Sequence, residues 1–216
     1  MSHGEPPEHL DVAVWRKVKR FELLGRRAAM SPEDHRLKSA AILNQLNCSE
    51  TPYFSGIIAL YVPFSGEIDV LPLMAKLSNS GHVIALPVVL APRTPLQFRV
   101  WTPGCAMERG VYGIPHPVQA EIVEPNTFVV PLVGFDDQFY RLGYGGGFYD
   151  RTFAAATKFV RSVGIGFEAA RVETIHPQKF DIPMDVLITE EGPRERQSSP
   201  CNRENGAIRE ERALPL

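Results

Sequence analysis

The sequence predicts an α/β fold, a Rossmann-like three-layer α/β/α sandwich around a mostly parallel sheet. Three observations predict it. Short continuous apolar runs, such as Gly56-Ile57-Ile58-Ala59-Leu60-Tyr61-Val62 and Thr127-Phe128-Val129-Val130-Pro131-Leu132-Val133, have the composition of strands covered on both faces. Helix-like segments fall between strand-like ones, a rhythm that implies parallel pairing through right-handed crossovers. A glycine-rich turn joins one such strand to a helix, the kind of place where open α/β sheets bind ligands.

The elements follow in order. Residues 1–9 are polar and proline-bearing and read as a flexible N-terminus. Leu10 to Ala29 reads as a helix, with Val14, Val18, Phe21, Leu24 and Ala28 forming one apolar stripe expected to face the core. Arg16, Lys17, Lys19, Arg20, Arg26 and Arg27 crowd its other faces. Ser31-Pro32-Glu33-Asp34 restarts a helix, with serine at the cap, proline at the first helical position and acids in the first turn. That second helix is expected to reach about Leu46. Strand 56–62 follows, then a helix over Asp69–Ser80 and a strand over His82–Pro87. Leu96–Trp101 alternates like a half-exposed strand, with Phe98 and Trp101 read as core. After strand 127–133 come a helix from Phe148 to Lys158, a strand over Ser162–Phe167 and a last one over Met184–Thr189. From Glu191 the chain is charged, polar and without apolar period, and is expected to be a disordered tail over 191–216. Residues 10–190 are expected to form one α/β domain.

Composition narrows the function. A compact chain of 216 residues needs no covalent staple to bury a sizeable core. The 23 Lys and Arg residues against 25 Asp and Glu give a net charge of −2, which argues against a general electrostatic grip on nucleic acid. No apolar run is long enough to span a bilayer, and MSHGEPPEHLDVAVWRK lacks the basic-then-apolar order of a signal peptide. Cys48, Cys105 and Cys201 are odd in number and far apart, which suits neither a disulfide framework nor a zinc site. The six histidines show no metal-ligand spacing. The expectation is a cytoplasmic protein, monomeric or weakly homodimeric, with a small-molecule substrate and no nucleic-acid or membrane partner.

The chemistry concentrates in Arg141-Leu142-Gly143-Tyr144-Gly145-Gly146-Gly147-Phe148-Tyr149-Asp150-Arg151. Four glycines in five positions admit positive φ and leave backbone N–H groups free to converge on an anion at the start of a helix. Arg141 adds a forked cation suited to phosphate oxygens. Asp150 is placed to hold magnesium, which favours one or two carboxylates completed by phosphate and water. The spacing is neither a P-loop nor a dinucleotide-binding fingerprint, because no Gly-Lys-Ser/Thr follows and Phe148 fills the last glycine position.

This long motif, preceded by Val-Pro-Leu-Val-Gly-Phe-Asp, resembles the 5-formyltetrahydrofolate cyclo-ligase (methenyltetrahydrofolate synthetase) family. Other segments agree in order from about Val14 to Glu190. Lys17 and Arg20 resemble the basic pair of the family's first helix, and Tyr61-Val62-Pro63-Phe64-Ser65-Gly66-Glu67 its strand-loop with a substrate-binding glutamate. Phe98-Arg99, Trp101-Thr102-Pro103-Gly104, Gly113-Ile114-Pro115 and Asp181-Ile182-Pro183-Met184-Asp185 resemble its middle and closing sections.

The resemblance implies conversion of 5-formyltetrahydrofolate to 5,10-methenyltetrahydrofolate with MgATP. Arg141 through Tyr149 would cradle ATP, with Lys17 and Arg20 reaching its phosphates; Arg141 and Lys17 would be the catalytic cations. Asp150 and Asp181 would hold Mg2+, and Glu67, Val62 and Phe64 the reduced folate, with Tyr144 and Tyr149 as aromatic neighbours of either ligand. The chain departs from the family pattern at His116, Phe139, Ala170 and Phe180. Those departures leave two alternatives open: an ATP-using relative with a different substrate, and a non-catalytic nucleotide- or folate-binding regulator.

Overall fold

A computed structural model describes residues 11–46, 53–118 and 120–197. Cys48, Cys201, the N-terminal residues 1–9 and the tail from residue 198 lie outside the described residues.

Two helices come first. In α1 (Val12–Ala28) the Asp11 carboxylate accepts from the N–H groups of Ala13 and Val14 at 3.0 and 3.1 Å, satisfying donors that a helix start leaves unpaired. In α2 (Pro32–Leu46) the Ser31 hydroxyl accepts from the Asp34 N–H at 3.0 Å, as the restart motif predicts.

The strands, in chain order, are β1 (Ile58–Ala59), β2 (Ile84–Val88), β3 (Gln97–Trp101), β4 (Met107–Arg109), β5 (Pro115–Pro117), β6 (Ile122–Val123), β7 (Thr127–Pro131), β8 (Gly134–Phe135), β9 (Arg141–Leu142), β10 (Arg161–Ile165), β11 (Val186–Thr189) and β12 (Gly192–Glu195). Helix α3 (Leu71–Asn79) joins β1 to β2, and α4 (Phe148–Ala155) precedes β10. Eight strands form one sheet in the order β12-β11-β10-β7-β1-β2-β3-β6. The centre, β11-β10-β7-β1-β2, is parallel, and antiparallel strands close both edges. The ladder at β1 spans two residues, although the Leu60 N–H still donates to the Ala85 carbonyl at 3.0 Å.

Alternation along these strands sorts the core into two layers. Ile58, Ile84, Leu86, Val129, Val163 and Ile188 pack with Ile42 and Leu46 of α2 and with Leu73, Met74 and Leu77 of α3. Ala59, Ala85, Phe128, Val130 and Leu187 face the other way, toward Phe153 and Tyr149 of α4. The three-layer sandwich is therefore as the sequence predicts. No described helix is long and apolar enough to cross a membrane.

Helix α1 corrects the sequence reading. Val14, Val18 and Phe21 are 56%, 60% and 83% exposed, whereas Leu23 and Arg27 are buried. The inward face carries Trp15, Arg16, Arg20, Leu23 and Arg27, one helical turn apart, and packs beside the hairpin β8–β9. A Cβ at Gly134 in that hairpin would lie 2.6 Å from the end of the Leu23 side chain and 3.3 Å from the Ala170 carbonyl oxygen, so glycine here lets the helix and hairpin approach closely. Phe139, at the hairpin turn, adopts φ 68°, a conformation that favours glycine; its ring packs against the core layer beneath α4. The segment expected to be tail from residue 191 begins instead with β12, paired antiparallel to β11 from Val186↔Glu195 to Thr189↔Gly192.

Candidate active site

The sheet reverses its winding between β1 and β7: the chain runs outward from β1 to β2, then returns to β7 on the other side and continues to β10 and β11. Such a switch point opens a crevice beyond the carboxyl ends of the strands. A cavity of about 560 Å³ lies there, walled by Tyr61 and Val62 after β1, Pro87 and Val89 at the end of β2, and Val130 and Pro131 of β7.

One wall of the cavity carries the glycine loop and three arginines. The loop Gly143–Gly147 lines it and leads into α4. Gly145 (φ 97°) and Gly147 (φ 62°) are left-handed, and a Cβ on Gly146 would lie 2.6 Å from the Phe148 ring. The Arg20 Nε donates to the Gly143 carbonyl at 2.7 Å, and an Arg151 guanidinium N–H donates to the Gly146 carbonyl. With two loop carbonyls held by arginines, the orphan N–H groups of the α4 first turn remain for a ligand.

Arg141 precedes this loop with its side chain 5% exposed. Its Nη1 donates to the Ile182 carbonyl at 2.8 Å, Nη2 lies 2.8 Å from Asp150 Oδ1, and Phe153 packs 5.3 Å from the guanidinium carbon. From α1, Arg16 and Arg20 reach the same cavity. Burial, and then the Arg16 charge, lower the pKa of Arg20, so an anionic ligand would relieve a crowd of cations. Lys17 is exposed and does not line the cavity. One residue along a helix turns the side chain by about 100°, so Arg16, four residues before Arg20, lines the cavity with it where the sequence predicts Lys17.

Both candidate metal carboxylates line the cavity, and each is answered by an arginine. Asp150 Oδ1 also accepts from the Ile182 N–H at 3.0 Å, while its Oδ2 takes no hydrogen bond among the described residues. Asp181 pairs with Arg16 and accepts from the Gln178 N–H at 2.6 Å. No group of three or more His, Cys, Asp or Glu side chains is arranged to hold a metal among the described residues. The donor set fits a magnesium ion completed by phosphate oxygens and water, and does not fit an all-protein cage.

Tyr61, Val62, Phe64 and Glu67 form another wall of the cavity. Glu67, which alone reads as a surface turn residue, is 6% exposed. Its Oε2 accepts from the Phe64 N–H at 3.1 Å, and Oε1 is buried without a hydrogen-bond partner. Burial pushes its pKa up to about 7, against the opposing pull of the Phe64 N–H, the Tyr144 hydroxyl and Arg27. The Tyr144 hydroxyl thus sits beside this carboxyl without completing a hydrogen bond to Oε1. Burial likewise raises the Tyr149 hydroxyl, assisted by the Glu67 charge. Phe64 lines the cavity with its ring stacked on Tyr144, centroids 4.6 Å apart.

The sequence reading missed the ribbon β4–β5. Its connection brings Val111, Tyr112 and Ile114 over the cavity beside Phe148, and His116 enters the wall from β5. Gly113-Ile114-Pro115 was the available signal, since it matched a family segment without a ligand role attached. His116 is buried, with Nε2 3.2 Å from Glu108. Of the other departures, Ala170 is half-buried against the core layer that includes Phe128 and Phe135, and Phe180 is 79% exposed; neither lines the cavity.

Comparison with known proteins agrees with this architecture. Residues 12–190 match the 5-formyltetrahydrofolate cyclo-ligase family. The 5-formyltetrahydrofolate cyclo-ligase of Haemophilus influenzae is 33% identical over 165 residues, covering 72% of this chain and 87% of that protein. The Escherichia coli (strain K12) protein of the same name is 29% identical over 172 residues, covering 76% and 94%. The NMR structure of Aquifex aeolicus 5,10-methenyltetrahydrofolate synthetase superposes with a TM-score of 0.72 at 30% identity, covering 88% of this chain and 97% of that one. The Mycoplasma pneumoniae synthetase, at 23% identity and a TM-score of 0.67 over 81% of this chain and 98% of that one, shares the fold. With four-fifths of its length inside the family match and its glycine loop, Arg141 and Glu67 gathered in one cleft, the chain belongs to the 5-formyltetrahydrofolate cyclo-ligase family of enzymes.

Proposed function

We propose that the cleft converts 5-formyltetrahydrofolate to 5,10-methenyltetrahydrofolate, consuming ATP in the presence of Mg2+. One observation carries this reading: a single cavity is lined both by a glycine loop with Arg16, Arg20 and Arg141 and by the buried, half-paired Glu67. The first set suits a polyphosphate and Glu67 an aminopyrimidinone edge, whose adjacent N–H groups match a carboxylate with an open oxygen.

The chemistry needs both. A formamide oxygen is a poor leaving group. Transfer of the γ-phosphoryl group onto that oxygen breaks the bond to ADP and creates a good one. The N10 lone pair then attacks the formyl carbon, the C–N bond closes the ring, phosphate leaves with the former formyl oxygen, and N10 gives up its proton. The residues contribute position and charge. Arg141, fixed by Ile182 and Asp150, presents its guanidinium where charge develops on the transferring group. Arg16 and Arg20 neutralise the remaining phosphates. Glu67 orients the pterin so that the formyl oxygen faces the loop, and Val62 and Phe64 flank its ring. Asp150 and Asp181 would hold Mg2+, which supplies further neutralisation of phosphate charge when bound.

The test is an omission series. Purified protein, 5-formyltetrahydrofolate, ATP and Mg2+ should yield the methenyl product, followed by its near-ultraviolet absorbance, and leaving out ATP or Mg2+ should abolish it. A second reading, the same chemistry on another formyl or carboxyl substrate, is favoured by His116 in the cavity wall. It predicts ATP consumption that 5-formyltetrahydrofolate does not stimulate. Tight binding of both ligands without turnover would instead mark a regulator.

A further inference from the structure

Tyr144 belongs to the glycine loop by sequence and meets the Phe64–Glu67 wall of the cavity by position. Its ring stacks on Phe64 with centroids 4.6 Å apart and planes 29° from parallel. Its hydroxyl accepts from Arg27 Nη1 at 3.4 Å and adjoins Glu67. Phe64 and Glu67 follow β1, so Tyr144 reaches from the phosphate loop across to the wall assigned to the folate ring. The loop is held by side chains and not by close packing: Arg20 donates to the Gly143 carbonyl at 2.7 Å and Arg151 to the Gly146 carbonyl, while a Cβ at Gly143 would meet nothing within 4 Å and Gly145 takes φ 97°. Tyr144 and Phe64 are each 41% exposed, so the stacked pair lies at the open side of the cavity and not in the core.

We infer that Tyr144 couples the two halves of the site: its ring covers the face of Phe64 that a flat pterin would stack on, and folate binding displaces it together with the glycine loop. The inference rests on the folate reading above. Its thermodynamic form is simple. A slot covered for part of the time weakens the apparent affinity of its ligand by the uncovered fraction. A nucleotide that draws the loop onto its phosphates moves the same tyrosine off Phe64, so each ligand strengthens the other by an equal factor. Gly143 and Gly145 supply the backbone freedom for this swing, and the Arg20 bond to the Gly143 carbonyl confines it to the loop.

Isothermal titration of the full chain with 5-formyltetrahydrofolate, with and without a non-hydrolysable ATP analogue and Mg2+, tests this. The wild type should bind folate more tightly when the analogue is present. Tyr144→Ala should bind folate alone about threefold more tightly or better, as expected if the slot is covered about two-thirds of the time, and the analogue should no longer strengthen binding. Tyr144→Phe, which keeps the ring, should retain most of the coupling and shows that effects in the alanine variant come from loss of the ring. Folate binding that Tyr144→Ala leaves unchanged or weakens would overturn the inference while leaving the proposed function standing. A wild type that binds no folate with or without the ATP analogue would overturn both.

Discussion

Arg141 and Asp150 meet at 2.8 Å across the two ends of the glycine loop, one at its entrance on β9 and the other in the first turn of α4. The pair staples the loop shut at its base and fixes a guanidinium whose side chain is 5% exposed. Arg141→Ala should therefore lower kcat by about 10²- to 10³-fold, the usual effect of removing a preorganised donor from a dry site. Arg141→Lys should recover part of the loss, since it keeps the charge without the fork. Steady-state rates of both folded variants check this, and an active alanine variant would contradict the assigned pocket.

Arg16 and Lys17 make opposite predictions. Arg16 enters the cavity and bonds the Ile175 carbonyl at 3.0 Å, whereas Lys17 is exposed. Arg16→Ala should raise KM for ATP by about tenfold or more, as loss of a charge-assisted bond does. Lys17→Ala should change it by less than about twofold. The reverse order would restore the sequence reading of this helix.

Glu67 ties stability to function. A carboxyl whose pKa rises from 4.5 to about 7 on folding binds its proton more tightly in the folded state. Its contribution is therefore favourable at low pH and is lost as pH rises from 4.5 through 7, with ionisation costing up to about 3 kcal/mol above that. Glu67→Gln should raise Tm at pH 8 relative to the wild type and do so much less at pH 5. The same change should weaken folate binding more than ATP binding, because Gln lacks the second acceptor. Thermal melts at both pH values and titrations with each ligand check the two halves separately.

The chain end divides at β12. Arg194 lies 3.0 Å from Glu168, its guanidinium carbon sits 5.3 Å from the Phe135 ring, and the Arg196 N–H donates to the Asp185 carbonyl at 2.8 Å. Truncation after residue 197 should leave Tm and turnover unchanged. Truncation after residue 190 should lower Tm, because it strips the edge strand and bares β11. Equal melting of the two truncated forms would show that β12 contributes nothing.

The parts legible in the sequence were those whose local chemistry is restrictive. Runs such as 127–133 become buried strands in most contexts, and a loop with Gly145 and Gly147 at positive φ can be built from few residue types. What escaped depended on tertiary context. Hydropathy assigns an apolar stripe to the core, but α1 turns Arg16 and Arg20 toward the cavity and Arg27 onto the Leu132 carbonyl, leaving Phe21 in solvent. The ribbon β4–β5 pairs the exposed Met107-Glu108-Arg109 with Pro115-His116-Pro117, neither of which has strand character. Gly192-Pro193-Arg194-Glu195 likewise becomes a strand because β11 offers an edge and Glu168 a partner for Arg194. Glu67 carries no local mark of burial; the fold closes over it.

The fate of one oxygen atom tests the central claim most directly. 5-Formyltetrahydrofolate labelled with ¹⁸O in the formyl group, turned over with unlabelled ATP, Mg2+ and water, should deliver its label to inorganic phosphate, one heavy oxygen per phosphate by mass spectrometry. Label released to water, with phosphate left light, would contradict activation of the formyl oxygen by the nucleotide held in the glycine loop.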